Sequence, residues 1–163
     1  MSALIKPRLL VGMLAAAVTC FVLAGPIVST AAASDNSIIG VVNHWSPIVQ
    51  HDENAIAKAE RAYKNDRKAG PVVADLRHEV GDLHAFVSQL KAQPASTSTG
   101  AKGRNDIAAG ATLVAKSYTS FARELKQAGS KGLSQSQINA NSKVALAGHN
   151  KIIAGINLLR SLT

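Results

Sequence analysis

The chain has 163 residues, 47% of them apolar, and carries eighteen Lys and Arg against ten Asp and Glu, a formal net charge of +8. That length suits a single domain able to bury a sizeable core. One cysteine, Cys20, excludes an intrachain disulfide, C-x-x-C-H haem attachment and Cys-based zinc sites.

Residues 1–33 have the layout of a secretory signal peptide. Lys6 and Arg8 make a basic start, Leu9 to Ala24 is uncharged, Gly25-Pro26 breaks the run, and Ala31-Ala32-Ala33 is an A-x-A cleavage pattern. The strongly apolar core, about 16 residues, is short of the ~20 a spanning helix needs. The expected product is secreted or extracytoplasmic, cleaved after Ala33, and touches a membrane only if this segment stays attached. Cys20 follows Ala17-Val18-Thr19 and does not fit an acylation site.

Residues 34–45 are apolar at Ile38, Ile39, Val41, Val42 and Trp45, and are expected to cover one end of the domain. Ser46-Pro47 then reads as a helix start, giving a first helix over about 47–68 that Ala69-Gly70-Pro71 ends. The second, about 71–92, spaces Val73, Leu76, Val80, Leu83, Val87 and Leu90 by threes and fours, which is a heptad seam. Residues 93–103 (QPASTSTGAKG) read as a polar, flexible connection.

The third helix, about 105–128, repeats the seam with Ile107, Ala111, Val114, Tyr118, Phe121 and Leu125. The fourth, about 135–161, opens with Ser134 and Gln137 in capping-box spacing. It turns Ile138, Ala145, Ile152, Ile156 and Leu159 inward. Residues 46–163 are thus expected to form an all-α, antiparallel up-down-up-down four-helix bundle.

Five polar residues fall on or beside these apolar arcs at about 100° per residue: Asp52 in the first helix, Glu79 on one shoulder of the second beside Val72 and Phe86, His84 on its other shoulder, and Asn141 and His149 in the fourth. Reflected across the hairpins, Asp52, His84 and His149 gather near one level. An interior Asp52/His84/His149 pocket holding a metal, haem or small ligand is therefore one expectation, with structural roles for the same residues as its rival. His78-Glu79 lacks the second histidine of H-E-x-x-H, because position 82 is Asp. Asp75-Leu76-Arg77-His78 offers one D-x-x-H step where a di-metal bundle needs two, and its His78 points away from the seam. No nucleophile elbow or phosphate loop is present, so catalysis is not expected.

Charge is uneven. Residues 34–106 balance nine cations with nine acids, whereas residues 107–163 hold seven Lys and Arg against Glu124 alone. The leading expectation is a non-catalytic binding module of a bacterial cell envelope, needing no cofactor. Its basic third and fourth helices (Lys116, Arg123, Lys126, Lys143 and Lys151) would face an anionic envelope polymer or another envelope protein. Tyr118 and Phe121 belong to the seam, which leaves no stacking platform for sequence-specific nucleic-acid reading.

Overall fold

The structure, a computed structural model, describes residues 33–162. The leader reading on residues 1–32, with Cys20, lies outside the described residues. Within them the protein is all-helical, without a strand: α1 (Ala33–Asp66), α2 (Ala69–Ala92), α3 (Ser98–Ala128), a 3-10 turn (Gly129–Lys131) and α4 (Gln135–Arg160). Among the described residues no helix is long and apolar enough to cross a membrane.

Two boundaries differ from the sequence expectation. Residues 34–45 are not a separate cover. They are the first three turns of α1, which continues through Pro47. Continuity comes from burial on one stripe, since Ile38, Val42, Trp45, Val49, Asp52, Ile56 and Tyr63 follow one another by threes, fours and a closing seven, all buried. The lost hydrogen bond at Pro47 is outweighed by that contact. Trp45 fixes the register against α2: its Nε1 donates to Gln89 Oε1 at 2.9 Å and its ring lies 6.1 Å from that of Phe86.

The second difference is α3, which begins at Ser98 inside the stretch expected to be a flexible connection. Thr97 caps it by accepting from the Gly100 amide at 2.9 Å. The anchor comes from α1. Asp35, fully buried, accepts from Thr97 Oγ1 at 2.7 Å and from the Ser96 amide at 3.0 Å. Burial pushes its pKa up, but these hydrogen bonds overcome that effect and hold it below the ordinary aspartate value. Gly100 is required here, because a Cβ would collide with the Asp35 carboxylate.

The expected seams of α2 and α3 are in place, with Val73, Leu76, Leu83, Leu90, Ile107, Ala111, Val114, Tyr118, Phe121 and Leu125 buried. The capping box of α4 also forms: Gln137 N donates to Ser134 Oγ and Ser134 N to Gln137 Oε1 at 2.9 Å. Close helix pairing is sequential, α1 with α2, α2 with α3 and α3 with α4, while α1 meets α3 at fewer points. Tyr63 OH, donating to Gly129 O at 2.7 Å, ties the end of α1 to the end of α3.

The α3/α4 pair is packed backbone to backbone. A Cβ on Gly110 would lie 2.5 Å from Gly148 O, and one on Gly155 2.6 Å from Gly103 O. Glycine permits this approach, and the two pairs run in opposite chain directions. Nearby, Ser117 Oγ donates to Asn141 O at 2.8 Å and Asn141 Nδ2 to Glu124 Oε2 at 3.0 Å.

Candidate functional site

The expected interior trio does not assemble. Asp52 and His149 are buried, but His84 is exposed. Two residues along a helix turn the side chain by about 200°, so His84 stands away from Asp82, which faces Asp52. His149 has no hydrogen-bond partner on either ring nitrogen, and burial lowers its pKa.

The residue that does meet Asp52 is His78, expected to point away. Its ring is 70% exposed, yet Nε2 lies 3.8 Å from Asp52 Oδ1 and 3.8 Å from Asp82 Oδ2. His78 and Asp82 are one turn apart on α2 and so share a face, and Asp52 reaches them from α1. One donor atom from each of the three falls within 4.8 Å of the others.

Behind this group lies an acidic layer of which the helical angles had placed only Glu79 beside a seam. Glu53, Glu60 and Glu79 are 1%, 2% and 0% exposed. No amide, hydroxyl or cationic donor reaches Glu53 Oε2, Glu60 Oε1, either oxygen of Glu79 or Asp52 Oδ2. Burial pushes Glu53 up to about 8. It does the same to Glu60, partly offset by Lys64 and Arg61. Burial, then the carboxyls of Glu53, Asp52 and Asp82, push Glu79 up to about 10. Asp52 is raised by burial and then by Asp82. The Tyr118 hydroxyl, unpartnered within hydrogen-bond reach, is raised by burial and then by the same glutamates. At neutral pH these glutamates are mostly protonated, because isolated charges in such surroundings are too costly. Val72, Glu79 and Phe86 form the heptad stripe expected beside the main seam; the missed signal was that Glu53 and Glu60 are also seven apart.

On the side of α2 toward α3, the character reverses. A hollow of about 560 Å³ is lined by Arg77 and Val80 of α2 and by Thr119, Ala122, Arg123, Lys126 and Gln127 of α3. Arg77 and Lys126 form no ion pair among the described residues, and Arg123 donates to Ser120 Oγ at 3.3 Å. Val80 and Ala122 add apolar lining beside the three basic residues. Of the basic residues singled out from sequence, Arg123 and Lys126 line this hollow. Lys116, Lys143 and Lys151 are exposed but outside it.

Comparison with protein-family models, with characterised proteins and with solved structures finds no match. The functional reading therefore stands on these two sites.

Proposed function

We propose that this protein is a small exported module, released after Ala33 and folded as an antiparallel up-down-up-down bundle, which acts by binding an anionic envelope polymer rather than by catalysis. The observation that carries this reading is the hollow between α2 and α3. Its size lies within the range of ordinary ligand pockets, and Arg77, Arg123 and Lys126 converge on it with no acidic side chain in its wall among the described residues. A phosphate-bearing or carboxylate-bearing chain segment matches three cations beside an apolar lining. The exposed Lys116, Lys143 and Lys151 extend the positive field on which a long polyanion is drawn in.

Short-chain inorganic polyphosphate is the probe, titrated at low ionic strength and followed by calorimetry. A cation 4 Å from an anion contributes about 1 kcal/mol in bulk water. Reversing three charges should therefore exceed the ~1.4 kcal/mol that equals tenfold in affinity. The Arg77→Glu/Arg123→Glu/Lys126→Glu variant is expected to lose at least tenfold, and Lys143→Glu/Lys151→Glu less. Added salt should weaken the wild-type protein steeply. Equal affinity of the triple variant and wild type at low salt would contradict the reading.

A further inference from the structure

We infer that Asp52, His78 and Asp82 form a binding site for one divalent transition cation of the Zn²⁺ type, with the Glu79 carboxyl as an additional ligand at its buried side. This site lies between α1 and α2 and is independent of the polyanion hollow.

Three observations converge on it. The first is proximity across two helices: His78 Nε2 is 3.8 Å from an oxygen of each aspartate, and the three donor atoms lie within 4.8 Å of one another. Donors bound at ~2.0–2.2 Å from one ion are spaced by roughly 3.0–3.6 Å, so closure needs less than about an ångström between His78 and either aspartate, and up to ~1.8 Å between the two aspartates. The side chains of His78 and Asp82 are 70% and 28% exposed and free to turn by that amount, while Asp52 is held at 5%.

The second observation is Glu79. It is fully buried, no amide, hydroxyl or cationic donor reaches either of its oxygens, and its carboxyl lies against that of Asp52, whose hydrogen bond with it favours the protonated Glu79. No such donor reaches Asp52 Oδ2 either. Buried carboxyl oxygens without donors are costly. A cation that displaces the Glu79 proton to solvent would give Asp52 and Glu79 one shared positive partner.

The third is donor chemistry. One imidazole nitrogen with carboxylate oxygens suits Zn²⁺ and its first-row neighbours, whereas Mg²⁺ and Ca²⁺ favour oxygen-only shells. The exposed His78 edge gives the ion a path from solvent, and the remaining coordination positions would be filled from water.

The test is a titration of the purified protein, first stripped with chelator, with Zn²⁺ at neutral pH, repeated with Co²⁺ to read its visible absorption. Saturation at one ion per chain is expected, with Mg²⁺ at the same concentration not competing. His78→Ala and Asp82→Asn should each weaken Zn²⁺ binding at least tenfold, and Glu79→Gln should weaken it measurably. His84→Ala should bind as the wild-type protein does. Because the His78 ring is mostly exposed, His78→Ala should fold normally, and its unchanged circular dichroism in the absence of metal keeps a lost affinity from being a lost fold. The inference is overturned if no saturable uptake occurs up to millimolar Zn²⁺. It is equally overturned if His78→Ala binds like wild type, which would leave His78 only an imidazolium bridge between two aspartates. Unaltered affinity in Glu79→Gln would remove Glu79 from the ligand set. Equal binding of Mg²⁺ would overturn the ion class.

Discussion

Across α3/α4 the backbones close until Gly110 lies against Gly148 and Gly103 against Gly155, and the nearby Asn141 side chain and Ser117 hydroxyl are hydrogen-bonded. Across α1/α2 the same kind of helix pair buries Asp52, Glu53, Glu60 and Glu79 with oxygens left unpartnered. The first interface has the features of one selected for packing. The second gives up stability to keep acids in the interior, which is the pattern expected where a site is retained for its chemistry. His149, buried on α4 without a partner, is the exception on the well-packed side. The contrast teaches that charge here is sorted across helix α2: acids collect on its α1 side and cations on its α3 side, with the neighbours Arg77 and His78 serving opposite sites.

The strongest way to break this contrast is at the glycine contact. Gly110→Ala would place a Cβ 2.5 Å from the Gly148 carbonyl oxygen and 2.7 Å from Ile152 Cγ1. Backbone cannot yield as a side-chain end can, so denaturant unfolding should show a loss of about 3 kcal/mol, despite alanine's better helix propensity.

A smaller effect is expected in the acidic layer, and it depends on pH. Glu60 titrates near 8 in the folded protein, above its ordinary value of 4.5, chiefly because of burial. A raised folded value means that the folded state holds the proton longer. Stability from this group is complete below pH 4.5 and is lost as pH climbs through about 8. Glu60→Gln, neutral at every pH, should flatten that decline and be the more stable protein at pH 9, by on the order of 2 kcal/mol. Melting temperatures of both proteins from pH 5 to 9 check it, and parallel curves would contradict it.

The smallest effect carries the opposite sign to the first. Gly81, in the middle of α2, is exposed and has nothing within 4 Å of a built Cβ. Gly81→Ala should therefore stabilise the protein by about 1 kcal/mol through helix propensity alone, which the same denaturant measurement reads.

Much of the helical layout was legible in the chain. Regular steps of three and four from Val73 to Leu90 and from Ile107 to Leu125 located α2 and α3, and Ser134 with Gln137 located the start of α4. Two local signals misled. Pro47 after Ser46 resembles a helix start, although the apolar spacing from Ile38 to Ile56 runs through it without a change of phase. The Ser/Thr/Gly stretch at 96–103 resembles a linker, because the partners that order it, Asp35 and Gly155, are about 60 and 50 residues away in sequence. The sites were less legible. Helical angles placed Asp52 and His149 inward, and both are buried. They could not show that an outward-leaning His78 reaches across to Asp52, since reach depends on the distance between helices. They set Glu79 on a shoulder of the seam, but a shoulder position can be buried, as Glu79 is, or solvated, as His84 is. Arg123 and Lys126 were singled out for charge, but Arg77, their partner across the hollow, was hidden in the balanced half of the chain.

Amide and side-chain NMR shifts, recorded in separate titrations with Zn²⁺ and with polyphosphate, test the sorting of charge across α2 most directly. The account predicts two disjoint sets of perturbed residues, Asp52, His78, Glu79 and Asp82 for the cation and Arg77, Arg123 and Lys126 for the polyanion. A single shared set, or shifts that avoid α2 altogether, would contradict it.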